Sequence, residues 1–194
     1  RIVEHVMALV EAEAGWARPD AIEVERSFGG DAEDSFGPGY DVDGVEVVGR
    51  IDRIDRHGSR VVLHDYKYGS TDRPARELLE SRNLQLLVYW LAMERPGSPL
   101  EPVGAVYRAI TKGGAPSGVL SPELRELGIV GPRVRSGVLD EEARRELLDG
   151  AASIVASSVA GIRAGIVAPL DDPERCPSHC RLQHVCRIGE GRRP

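Results

Sequence analysis

The chain has 194 residues, with 31 acidic and 25 basic side chains, a formal net charge of −6 and a pI near 5.4. That length is most simply one domain with a substantial core, and the acidity argues against a stand-alone module that grips nucleic acid tightly, which would be basic. No run approaches the ~20 apolar residues of a membrane-spanning helix and no basic-then-apolar amino terminus marks export, so a cytoplasmic location is expected; Arg1 in place of an initiator Met reads as a piece of a longer chain.

In chain order, residues from about Val3 to Glu13 predict a short helix carrying His5. Val24-Glu25-Arg26-Ser27-Phe28 reads as a strand, on which Glu23 and Glu25 face the same way. Gly29 to Asp43 forms a Gly- and Asp-rich loop. Two runs rich in β-branched residues follow, Val47, Gly49, Ile51, Arg53 and Val61, Val62, Leu63, separated by a hairpin turn at Arg56-His57-Gly58-Ser59. Folding about that turn sets Asp52 opposite the stretch from Leu63 to Asp65, within the roughly 4.5–8 Å over which cross-strand side chains meet. Asp65 and Lys67 share a face because the strand period is two. Mg²⁺ takes hard oxygen ligands, commonly one or two carboxylates completed by water and substrate phosphate, and Asp52 and Asp65 can supply them. Lys67 is then placed to orient an attacking water or to stabilise charge on a phosphoryl oxygen. Charged residues beside a hairpin more commonly form a solvated face, and Asp55, near the turn, is assigned to it.

From Pro74 to Glu94, Leu78, Leu79, Leu87, Val88 and Leu91 recur at helical spacing and predict one helix stopped by Pro96. Gln85 and Tyr89 share a face of it; a water-bonded helix edge is the commoner fate of such a Gln. Val103 to Thr111 predicts a strand and Lys112 to Pro132 an irregular excursion. Asp140 is the expected N-cap of a helix reaching Ala164, with Gly165 as its stop. Cys176, Cys180 and Cys186 fall within eleven residues near the end, a density that suggests metal more than core packing or disulfide. His179 or His184 could complete a Cys₃His zinc site.

Taken together and in order, Gly49-Arg50-Ile51-Asp52-Arg53-Ile54-Asp55, His64-Asp65-Tyr66-Lys67-Tyr68-Gly69, Leu84-Gln85-Leu86-Leu87-Val88-Tyr89 and the cysteine cluster resemble the PD-(D/E)XK nuclease superfamily, and within it the RecB- and AddB-type nuclease domains of bacterial helicase–nucleases, from about Ile22 to Arg187. The resemblance implies an α/β, restriction-endonuclease-like core over residues 1–170, a central mixed β-sheet flanked by helices, with a cysteine-containing tail at 171–194. It implies a Mg²⁺- or Mn²⁺-dependent deoxyribonuclease, an exonuclease acting on DNA in recombination and repair beside a helicase domain or subunit. Asp52 and Asp65, with the Tyr66 backbone carbonyl and His5, correspond to metal ligands. Lys67 corresponds to the catalytic lysine, and Gln85 with Tyr89 to the helical motif beside the site. Glu25 matches the upstream acidic position, with Glu23 as its competitor. Tyr68 departs from the pattern, standing where a small hydroxyl residue is usual and bearing on the substrate path.

The resemblance also implies that Cys176, Cys180 and Cys186 join a distant upstream cysteine around a [4Fe–4S] cluster, which needs four thiolates. The spacing from Cys180 to Cys186 matches, that from Cys176 to Cys180 is one residue longer, and the fourth cysteine is expected before Arg1; zinc is the competing occupant. An acidic nuclease is reasonable when tethered to a DNA-translocating partner, because linkage raises the effective substrate concentration. The alternative is a non-cutting member kept as a DNA-binding or scaffolding piece. A small-phosphate-ester enzyme would call for a Gly-rich phosphate cradle at a helix start, which the sequence lacks.

Overall fold

The computed structural model describes residues 2–69, 75–111, 116–130 and 138–166. Cys176, Cys180 and Cys186, with His179 and His184, lie outside the described residues. By internal contacts the chain divides into two units, Arg1–Ala156 and Ser157–Pro194. The candidate site and both apolar clusters lie in the first.

Helix α1 (Ile2–Glu13) leads into strand β1 (Ala21–Phe28), a small ribbon of β2 (Tyr40–Val42) and β3 (Val45–Val47), and the long strands β4 (Gly49–His57) and β5 (Arg60–Lys67). Helices α2 (Ala75–Glu80) and α3 (Gln85–Met93) cross to β6 (Glu101–Ala109), followed by β7 (Ser117–Leu120), α4 (Glu123–Glu126) and α5 (Glu141–Arg163). The main sheet runs β1-β4-β5-β6-β7. Among the named strands of the described residues, β5 and β6 pair in parallel and their other neighbours are antiparallel, so the sheet is mixed as expected. The hairpin closes at Gly58-Ser59, where His57 faces Arg60 and Gly58 has φ +66°, a tight two-residue turn for which glycine is suited.

Alternation along the strands divides the core. Ile54, Leu63, Ala105, Tyr107 and Val119 lie on one face, clustered with Leu86, Trp90 and Met93 of α3. Val62, Val106 and Leu120 lie on the other, clustered with Leu124 and Leu127. Leu124 can approach only because Gly104 lacks a side chain: a Cβ there would stand 2.7 Å from Leu124 Cδ1. Burying a side chain of that size contributes roughly 1.5–3 kcal/mol. The buried run of β6 follows from its being covered on both faces.

Four expectations need correction, the first being the loop from Gly29 to Asp43, which contains β2. The single helix from Pro74 to Glu94 is two helices, because α2 closes in a Schellman arrangement: Asn83 N–H bonds to Leu78 C=O at 2.8 Å and Arg82 N–H to Leu79 C=O at 3.0 Å, with Arg82 at φ +51°. The excursion from Lys112 to Pro132 contains β7 and α4 among its described residues. Asp55 is not solvated; it is 2% exposed. The α5 signals correspond to the observed ends: Asp140 Oδ1 accepts from Ala143 N–H at 2.9 Å, and Gly165 has φ +69° just past the helix.

Candidate active site

The register that pairs Arg53 with His64 sets Asp52 beside Asp65 on the face of the sheet carrying Leu63. Asp52 Oδ2 accepts a hydrogen bond from the Tyr66 N–H at 2.8 Å. This bond fixes the carboxylate between the two strands. Asp65 is 1% exposed, and its Oδ2 has no aligned hydrogen-bond donor although Lys67 Nζ lies 2.5 Å away as an ion pair. Burial raises the Asp65 pKa above the ordinary carboxylate value; Lys67 opposes that shift and Asp52 adds to it. A buried, imperfectly paired carboxylate oxygen beside a second carboxylate is suited to a cation.

Lys67 is also held from the helix side. Gln85, the first residue of α3, accepts from Lys67 Nζ through Oε1 at 2.9 Å, and its Nε2 donates to the Tyr89 hydroxyl at 2.7 Å. Tyr89 in turn donates to the Arg50 backbone carbonyl on β4, also at 2.7 Å. Gln85 therefore spends its amide on protein partners, unlike a solvent-bonded helix edge. The break between α2 and α3 starts a new helix at Gln85, within reach of the end of β5. Burial raises the Tyr89 pKa, Gln85 lowers it, and the charges of Asp65, Asp52 and Glu25 each raise it. These three carboxylates thus act electrostatically on one phenol.

Glu25 stands at the position facing Asp52, between the pairs Val24–Arg53 and Arg26–Ile51, and takes φ +52°. Its carboxylate lies 3.1 Å from Arg50 Nε, largely exposed. Glu23 faces Ile54 and engages Arg26 and Arg56 at 3.2 and 3.5 Å, so the two glutamates are divided between different partners. His5 is half-buried on α1. Tyr68, just past β5, is 71% exposed. Tyr107 was not signalled by the sequence. Paired with Asp65 on β6, it places its ring 5.4 Å from Lys67 Nζ and donates its hydroxyl proton to Asn83 Oδ1 at 2.7 Å. Only the register brings it there.

Among the described residues no three His, Cys, Asp or Glu side chains converge as a closed metal cage. Two carboxylates on adjacent strands, one with an oxygen lacking an aligned donor, fit a hard divalent cation that retains water and meets substrate phosphate, and do not fit an all-protein cage.

Residues 1–187 match the PD-(D/E)XK nuclease superfamily. The chain belongs to that superfamily. It is also 32% identical over 182 residues to one of the subunits of an ATP-dependent helicase/deoxyribonuclease from Desulforudis audaxviator (strain MP104C), an alignment covering 86% of this chain and 15% of that relative. The chain thus spans a small part of the length of this relative. The mixed sheet with flanking helices is the α/β fold expected of the superfamily. Among the described residues, no helix is long and apolar enough to cross a membrane.

Proposed function

We propose that this nuclease-superfamily chain is a Mg²⁺- or Mn²⁺-dependent deoxyribonuclease domain that degrades DNA from its ends, working beside a helicase in the cytoplasm. The observation that carries the reading is the joining of Asp52, Asp65, Lys67, Gln85 and Tyr89 into one connected polar set spanning β4, β5 and α3. A module that only binds DNA has no chemical use for a lysine held between a buried carboxylate and a glutamine.

In this reading Asp52 and Asp65 hold the cation, which supplies Lewis-acid polarisation and water activation for phosphodiester hydrolysis. The Tyr66 amide presents Asp52 in one orientation. Lys67 orients the water and counters charge on the phosphoryl oxygens, with Gln85 limiting where its ammonium can sit. Tyr89, bonded to the β4 backbone, fixes Gln85. The acidic chain draws its DNA affinity from a tethered translocating partner, a reading supported by a relative whose name joins helicase with deoxyribonuclease.

The test is digestion of end-labelled linear single- and double-stranded DNA, beside a covalently closed circle, with Mg²⁺, with Mn²⁺ and with EDTA. Short products from linear ends, only with metal and with the circle intact, are expected. Equal cleavage in EDTA would overturn the metal dependence, and cutting of the circle as fast as the linear DNA would overturn the exonuclease assignment.

A further inference from the structure

The alternation that points Asp52, Asp65 and Lys67 to one face sends Arg53, Asp55, His64 and Tyr66 to the other, where they meet Arg108 of β6. His64 and Arg108 are fully buried and Asp55 nearly so. Arg53 donates through Nε and Nη2 to the two oxygens of Asp55 at 2.6 and 2.7 Å, and through Nη1 to Glu13 Oε2 at 2.9 Å. Glu13 Oε1 lies 3.4 Å from Arg108 Nη2. Trp16 closes the cluster, with the Arg108 guanidinium 4.4 Å from its ring centroid and its ring stacked on His64 at 6.0 Å. Burial lowers the His64 pKa, which leaves the imidazole neutral. Two guanidinium groups are therefore balanced by two carboxylates, and the carboxylate of Glu13 alone is contributed from outside the sheet, by the end of α1.

Tyr66 joins this network to the candidate site. Its hydroxyl accepts from Arg53 Nη1 at 3.1 Å on one face, while its backbone N–H donates to Asp52 Oδ2 at 2.8 Å. Arg53 and Asp52 are consecutive in β4. A closed bracket results, running Asp52, Arg53, Tyr66 hydroxyl, Tyr66 amide and back to Asp52.

We propose that Arg53 and Tyr66 form a positioning bracket that sets the Asp52 carboxylate for metal, and that Glu13 of α1 completes it, so that the amino-terminal helix governs the cation affinity of the site. This rests on the reading of Asp52 as a metal ligand. Groups that orient ligands in this way typically alter metal affinity about 10–100-fold when removed. Glu13 has a second role, since without it Arg108 would be buried with no direct anionic partner among the described residues.

The test is calorimetric titration of the 194-residue chain with Mn²⁺ alone, without DNA, for the wild type, Tyr66→Phe, Glu13→Gln and the core variant Leu124→Ala. Tyr66→Phe removes only the hydroxyl and keeps the amide, so it remains informative if Glu13→Gln folds poorly. The dissociation constant for Mn²⁺ should rise about 10-fold in Tyr66→Phe and toward 100-fold in Glu13→Gln. The metal concentration giving half-maximal cleavage should move in the same order. Leu124→Ala, which opens a cavity away from the site, should lower the melting temperature without moving the Mn²⁺ constant. Wild-type Mn²⁺ affinity in Tyr66→Phe and in folded Glu13→Gln would overturn the proposal and leave the network a purely structural device. A wild type that binds no Mn²⁺ would overturn it together with the metal-ligand reading of Asp52, a result distinguishable because no variant comparison then enters.

Discussion

On the back of the β4–β5 pair, Arg53 and Asp55 form a bidentate ion pair and Glu13 and Arg108 extend it into a charge-balanced cluster under Trp16. On the front, one residue away along each strand, Asp65 is buried with a raised pKa and Asp52 adds a second negative charge beside it, with Lys67 as the one ion-pair partner among the described residues. Burial penalises the ionised form in both places. Behind the sheet, partners overcome that penalty: burial raises the Asp55 pKa, yet His64 and Arg53 bring it below the ordinary value. In front they do not. A charge that the fold leaves insufficiently compensated is available to something that binds there, whereas a compensated one serves the scaffold.

If the division holds, the largest effect of a single change should come from the front. Lys67→Ala should lower the cleavage rate by roughly 10²–10³, as for loss of one electrostatic stabiliser, with Mn²⁺ binding nearly unchanged. Rate and metal affinity falling in proportion would instead make Lys67 a counter-ion for Asp65.

A smaller effect is expected from the back, and in stability. His64 is neutral in the fold because burial lowers its pKa, while an unfolded histidine titrates near 6.5. The unfolded chain therefore takes up the proton first as pH falls. Stability from this group is present above about pH 6.5 and is lost as pH drops below it toward the folded value. Melting temperatures in EDTA should fall from pH 7.5 to pH 5.5, and the slope should flatten in His64→Gln. An identical slope in both proteins would show that His64 does not carry the effect.

The front face is largely legible in the sequence. The hairpin at Gly58 and the two-residue period place Asp52, Asp65 and Lys67 on one face, because register leaves a strand no other choice. The start and stop of α5 are legible through Asp140 and Gly165 for similar local reasons. The break after α2 is not, because its left-handed residue is Arg82 where glycine is the usual signal. The ribbon turn at Asp43-Gly44 carries a recognised turn pair, a signal that the Gly- and Asp-rich composition around it obscures. The burial of Asp55 does not follow from its place near a turn; its partners are Arg53 and His64, which in turn meet Glu13 and Trp16, residues far upstream in the chain. Tyr107 reaches Lys67 only through the parallel pairing of β5 with β6, a contact between distant segments that local pattern cannot show. The β4–β5 pair is visible in the sequence as a charged hairpin; its separation into a site and a support is not.

The most direct test compares two isosteric substitutions on opposite faces of the β4–β5 pair. Asp65→Asn and Asp55→Asn each remove one buried negative charge, and each should be measured for thermal melting in EDTA and for DNA cleavage at saturating Mg²⁺. Asp65→Asn should cut orders of magnitude more slowly with its melting temperature unchanged or raised, since a carboxyl with a raised pKa costs stability when ionised. Asp55→Asn should lose about 3–5 kcal/mol of stability, as for a broken buried ion pair, while its folded fraction cuts at a rate of the wild-type order. Undiminished cleavage by Asp65→Asn, or a catalytic collapse of folded Asp55→Asn with no loss of stability, would contradict the assignment of site and support to the two faces.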